Sequence, residues 1–418
     1  MRLVVQKYGG TSVGTPKRIR NVACRLVETQ REGCQLVAVI SAMAGVTDDL
    51  LKLAHKMSPQ PAERELDILL ATGEYAAAAL TAMAVNALGG RAISLTGAQA
   101  GILTDRNHAR ARIANISPKQ IHELLSDDYI VIVAGFQGQT PEGETTTLGR
   151  GGSDLTAIAL AGALNADVCQ IFTDVDGVFT CDPRIVADAQ KLDEVAYDEL
   201  LEMASTGSKV MQSRAVEFAK KFGIEFEVRS SFKTSIGTVA KEATPGMEDV
   251  VIRGISIDRH QAKLTIAGVR DEPGSAGRIF SNIAAAHIIV DMIVQNASIG
   301  GTTDISFTIH EDELENARKI LMPTVGELGA KRLNTTSGVA KLSVVGIGMR
   351  SHSGVAARMF ECLGRAGINI QLVSTSEIKI AVIIDEKDLE PAAQLIHAEF
   401  GLGRLIPAAS ATKPPDGT

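Results

Sequence analysis

At 418 residues the chain is too long for one ordinary core, so two or three domains are expected. A balance of 45% hydrophobic and 22% charged residues marks a globular protein, and a net charge of −7 argues against nucleic acid or a membrane surface as partner. With no Trp and only 4% aromatics there is no stacking platform for single strands, and five scattered cysteines without a CxxC pair fit free thiols in a reducing cytoplasm.

In chain order, MRLVVQKYGG enters a strand (3–6) at once, without a signal-peptide core. Pro16 starts a helix whose apolar positions Ile19, Val22, Leu26 and Val27 share one face. LVAVI (36–40) reads as a buried strand. Residues 62–88 read as helix, and the alanine-rich run 76–85 inside it as a core helix rather than a membrane span. Strands at 91–95 and 129–135, a polar loop at 137–150, a helix from Ser153 and a strand at 168–172 follow. Buried strands alternating with helices predict an α/β fold: an open, mainly parallel sheet with helices on both faces.

No GxxxxGK[ST], GxGxxG or HExxH is present, so a P-loop, a dinucleotide site and a transition-metal site are not read. What remains are glycine-rich turns at the C-terminal ends of strands, the edge where open sheets bind ligands. QKYGGTSV (6–13) puts Lys7 at a strand end before Gly9 and Gly10, a pattern suited to phosphate or to an ordinary turn. In SAMAGVTDD (41–49), Ser41 and Thr47 either meet a ligand or cap the next helix. Glu74 sits in an apolar helix, either buried and in want of a partner or exposed. TTTLGRGGSD (145–154) is more specific. Arg150 offers a fork for carboxylate or phosphate, Gly151 and Gly152 expose amides, Ser153 is placed to cap and Asp154 lies in the first helical turn. TDVDGVFTCDPR (173–184) and GSKVM (207–211) suit a nucleotide, with Arg184 and Lys209 as cations.

Composition turns polar around 237–250, where we place a boundary. Beyond it, AKLTIAGVRDEPGSAGRIF (262–280) repeats as AKLSVVGIGMRSHSGVAARMF (340–360). Each copy reads β-α-β-β-α, the ferredoxin-like pattern. The domains expected are 1–245, 262–338 and 340–402, with a strand at 250–258 joining the repeated pair and a frayed tail at 403–418.

Taken in order, QKYGGTSV, SAMAGVTD, GEYAAAAL, AGFQG, TTTLGRGGSD, TDVDGVFTCDPR and GSKVM resemble the aspartate kinases of the amino-acid kinase fold, and the repeats resemble paired ACT domains. The resemblance implies phosphorylation of the side-chain carboxylate of aspartate by ATP, with Mg²⁺ carried by the nucleotide and no resident metal. Lys7 and Asp154 would be catalytic. Ser41, Thr47, Glu74, Arg150, Gly151, Gly152 and Ser153 would bind substrate, Glu74 taking its α-ammonium and Arg150 its α-carboxylate. Lys7, Tyr8, Gly9, Gly10, Thr173, Asp174, Phe179, Arg184 and Lys209 would bind ATP, with Phe179 where the family commonly has Tyr. Lysine and threonine would be effectors, meeting Asp271, Gly274, Ala276, Asp291, Gln295 and Ser376. A cytoplasmic homo-oligomer assembled through the ACT domains is implied, and the resemblance also allows an α2β2 assembly with a regulatory subunit started at Met247.

Overall fold

The computed structural model describes residues 1–205, 211–248, 250–296 and 300–403. They form two compact units. The first comprises Met1–Val178, Lys191–Ser205 and residues 211–247, and the second Phe179–Gln190 with residues 248–403.

The first unit is built on strands β1 (Arg2–Tyr8), β2 (Cys34–Ile40), β3 (Ala92–Leu95), β4 (Ile102–Thr104), β5 (Ile113–Ile116), β6 (Ile130–Ala134), β7 (Gln137–Gln139), β8 (Thr145–Thr147), β9 (Val168–Thr173), β10 (Glu194–Ala196), β11 (Phe226–Ser230) and β12 (Thr238–Lys241). Its main sheet has the order β10-β12-β11-β9-β1-β2-β6-β3, parallel except for β11 against β12. The central strands are apolar on both faces, as a sheet covered twice requires; β6 is buried at every residue. Helix α1 (Pro16–Arg31) starts on Thr15, whose side chain accepts from Arg18 N, and buries the expected Ile19, Val22, Leu26 and Val27. Helices α2 (Val46–Met57), α3 (Glu63–Ala87), α4 (Lys119–Ser126) and α5 (Gly152–Leu164) complete the part that shapes the site.

By length and composition alone, α3 is apolar enough to cross a membrane. In the fold it lies on the sheet and buries Leu70, Ala71, Ala77, Ala78, Ala82 and Val85. The stretch 137–150, read from sequence as loop, contains β7 and β8, which join β4 and β5 in a separate four-stranded sheet. Its strands of three or four residues are too short to show an alternation.

The second unit carries one six-stranded sheet shared by both repeats. A single 17-residue strand, β13 (Gly254–Arg270), pairs along its length with β16 (Arg332–Val345) at the sheet centre. The edge strand β14 (Val290–Gln295) and β15 (Thr302–His310) lie on one side, β17 (Leu372–Thr375) and β18 (Lys379–Asp385) on the other. Residues Gly254–Asp258 are thus paired to the second repeat, and 261–267 continue the ladder after a bulge. Both long strands turn through a left-handed residue at the matching place, His260 (φ 61°) and Gly338 (φ 63°). The segment Phe179–Gln190 belongs to this unit: Cys181 and Val186 are buried in one core with Ile252, Leu342, Met359 and Ile396.

Candidate active site

The site is assembled where β1, β2 and β6 end and α5 begins. Lys7 leaves β1 nine-tenths buried, and its Nζ lies 2.6 Å from Asp154 Oδ1 in the first turn of α5. That oxygen, though buried, makes no hydrogen bond of acceptable angle, so the contact is an ion pair with acceptor capacity to spare. Gly10 follows directly; a Cβ there would sit 2.8 Å from the Ala42 carbonyl, so no larger residue fits without moving backbone. The N–H groups of Gly10 and Ser153 donate to nothing among the described residues. Gly9, by contrast, already donates to Phe172 O at 3.3 Å. Of the two glycine amides expected to meet phosphate, Gly10 alone is open.

Neither Ser41, Thr47 nor Ser153 caps a helix. Helix α2 starts on Gly45 and α5 on Gly151, both left-handed and both without a side-chain cap. Ser41 instead gives its N–H to Tyr8 O at 3.1 Å, which ties the end of β2 to the end of β1. The capping alternative therefore fails, because glycines able to hold φ of 85° and 68° already make the turn.

Glu74 is 4% exposed, which settles its alternative for burial. One carboxylate oxygen accepts Ala42 N–H at 3.3 Å, and the other has no partner. Burial pushes its pKa up to about 7, against the lowering effect of the Ala42 amide. An orphaned buried carboxylate oxygen of this kind is a receptor for a cation. The Arg150 side chain is exposed and has no ion-pair partner among the described residues, while its carbonyl is held by Gln212 Nε2 at 2.7 Å.

Other expected residues divide. Tyr8 is fully buried and stacked on Phe172 at 4.8 Å, so only its backbone can face a nucleotide. Thr173 closes β9 and donates its hydroxyl to Asp174 at 3.1 Å. Phe179 and Arg184 belong to the second unit, where Arg184 pairs with Asp182 at 2.6 Å. Lys209 lies outside the described residues. In the second unit, Gly274 (φ 96°) starts the helix Ser275–Ala285 beside exposed Asp271, with Ala276 in its first turn, and Gly354 (φ 91°) starts Val355–Arg365 at the equivalent place. Gln295 ends β14, and exposed Ser376 gives its N–H to Lys379 O. Asp291 is not free: it is paired with Lys341, which is 2% exposed.

The sequence reading missed Asp67. It is fully buried seven residues before Glu74 on the same face of α3, and it accepts from Thr147, His108 and Ala109. An aspartate in the apolar run LDILLATGE was the available signal.

Comparison with known proteins bears on the fold and the family. The amino acid kinase family model matches residues 2–230, and an ACT domain model matches 264–322 and again 342–400. The aspartate kinase of Pseudomonas fluorescens is 51% identical over 405 residues, covering 96% of this chain and 98% of the relative. The chain belongs to the aspartate kinase family. This aspartate kinase is also 50% identical over 403 residues to the enzyme of Stutzerimonas stutzeri, again over 96% and 98% of the two chains. Among solved structures, the aspartate kinase of Synechocystis is 40% identical with a TM-score of 0.53, over 96% of this chain and 69% of that one. Aspartokinase III of E. coli with aspartate and ADP shares the fold at a TM-score of 0.79 and 24% identity, over 95% and 99% of the chains.

Proposed function

We propose a division of labour for the reaction of this aspartate kinase, transfer of the γ-phosphoryl group of ATP to the side-chain carboxylate of L-aspartate. A carboxylate is already a nucleophile at neutral pH, so positioning and charge stabilisation carry the catalysis. Lys7 and the Gly10 amide take the charge that spreads over the moving phosphoryl group, joined by the Ser153 amide at the start of α5. Asp154 holds Lys7 in place through the ion pair at 2.6 Å. Glu74 receives the α-ammonium and Arg150 the α-carboxylate of aspartate, with Gly151, Gly152, Ser41, Thr47 and Ser153 lining the pocket. Tyr8 through its backbone, Gly9, Thr173, Asp174 and Lys209 serve the nucleotide. Mg²⁺ carried by ATP would supply neutralisation of phosphate charge, with Asp154 as the carboxylate that would attend it through its pairing with Lys7.

We assign residues 1–245 to catalysis and 262–338 and 340–402 to the two ACT domains, with 250–258 in their sheet. The equivalent helix starts at Gly274 and Gly354 suit the carboxylate of an amino-acid effector, and lysine and threonine are the effectors proposed. Asp271 and Ala276 flank Gly274 in sequence, Gln295 ends β14 and Ser376 follows β17; an effector ammonium at Asp291 would have to share it with Lys341. Assembly through the ACT domains, with or without a second chain started at Met247, completes the reading.

The orphan oxygen of Glu74 carries the substrate assignment. Its test is the acceptor dependence of ADP release with Glu74→Gln: a rise in KM for aspartate of at least tenfold is expected, with KM for ATP unchanged. An unchanged KM for aspartate overturns the assignment.

A further inference from the structure

Arg150 approaches its work from an awkward place. It stands exposed in a turn between the short strand β8 and α5, and an exposed arginine on a loop is costly to order. The strand that delivers it is nevertheless held from beneath. Asp67 is 0% exposed. Its two oxygens accept the Thr147 hydroxyl at 2.5 Å, the His108 ring at 2.8 Å and the Ala109 N–H at 3.0 and 3.1 Å. Ala109 takes a left-handed conformation (φ 62°) that an alanine adopts only when its surroundings impose it. The strap that Asp67 pins, His108 to Ala111, then lies along the run into Arg150. Ala111 N donates to Thr147 O at 2.9 Å, and Arg214 bridges Leu148 O at 2.5 Å and Ala111 O at 3.0 Å.

We propose that Asp67 is a positioning residue for substrate recognition: through Thr147 and the Ala109 strap it fixes the β8–α5 turn so that Arg150 meets the substrate carboxylate preorganised. The inference rests on the assignment of Arg150 made above. A carboxylate suits the place because it supplies acceptors only: the Ala109 N–H can only donate, and the Thr147 hydroxyl and the His108 ring donate to it. An amide in its place turns one acceptor into a donor, aimed at the Ala109 N–H or at the Thr147 hydroxyl. Asp67 and Glu74 lie on one face of one helix, so the same rigid element sets both ends of the bound amino acid.

Steady-state kinetics of Asp67→Asn, Thr147→Val, Arg150→Ala and Asp67→Asn/Arg150→Ala test this, with thermal melts to show folding. Asp67→Asn is expected to raise KM for aspartate at least tenfold and to leave KM for ATP within twofold. Thr147→Val, which removes one donor only, is expected to give a smaller rise of the same selectivity. The double variant is expected to be no worse than Arg150→Ala alone, because Asp67 acts through that arginine. A general loss of structure would instead move both KM values and kcat together. Should Arg150→Ala raise KM for aspartate while folded Asp67→Asn or Thr147→Val leaves it at the wild-type value, this inference falls and the Arg150 assignment stands. The inference falls likewise if the two effects add in full. Arg150→Ala at wild-type KM brings down the Arg150 assignment, and the inference with it.

Discussion

Lys7 is the residue whose loss separates folding from catalysis most cleanly. It is nine-tenths buried, paired with Asp154, and belongs to a strand held on both sides by parallel main-chain ladders to β2 and β9. Lys7→Ala therefore keeps the sheet but removes a fixed cation from the transferred group. A fall in kcat of more than about a hundredfold is expected, the scale of losing one preorganised donor. Near-normal turnover by a folded Lys7→Ala enzyme would remove the lysine from the mechanism. Glu74 gives a pH dependence. Its pKa is raised to about 7 by burial, so the free enzyme carries it neutral below that pH and charged above. In its proposed role the substrate ammonium prefers the carboxylate form, and binding is expected to fall as pH drops. The ratio kcat/KM for aspartate should therefore decline about tenfold per unit below pH 7 and level off above it. In Glu74→Gln that break should vanish from the profile, and a break that survives belongs to another group.

Elements explain what could be read in advance and what could not. The apolar run at residues 3–5 of β1 and the face of α1 were legible because burial on a helix or in a doubly covered sheet leaves a periodic or continuous signature. Lys7, Glu74, Arg150 and Asp154 were singled out by the glycines and apolar runs around them, and the fold pairs Lys7 with Asp154 and buries Glu74. The four-stranded sheet was not, since QGQ and TTT carry no period at three residues. Nor was Asp67, whose role depends on a strap more than forty residues away that no local pattern announces. The bend in β13 is a similar case. His260 and Gly338 hold the same left-handed turn, yet only one of them is a glycine. The bend is thus imposed by the paired strands and not by the residue. Relief of that strain in His260→Gly should stabilise the protein by about 1 kcal/mol. A melt of the variant below wild type would show that contacts of the imidazole outweigh the strain.

On the scale of the molecule, the second unit does not begin where the first ends. It borrows Phe179–Gln190 from the middle of the catalytic sequence. There Thr180 Oγ1 lies 2.9 Å from the Nε2 of His397, itself fully buried and with its pKa lowered by that burial. Thr180→Val would leave that ring nitrogen without its partner, a loss of about 1–3 kcal/mol expected in the unfolding of this unit. A melting curve superimposable on wild type would mean the histidine finds another partner. A chain started at Met247 lacks Thr180, Cys181 and Val186 altogether, and its repeats should melt earlier than the same repeats in the full chain.

Severing the protein after residue 247 would strip from Cys181 and Val186 the core they share with Ile252, Leu342, Met359 and Ile396. Amputation is thus a poor way to remove the proposed effector response: the part left behind would be sticky. A well-behaved variant is better sought by single substitutions at the helix starts Gly274 and Gly354 proposed for effectors, with the borrowed segment left in its seat.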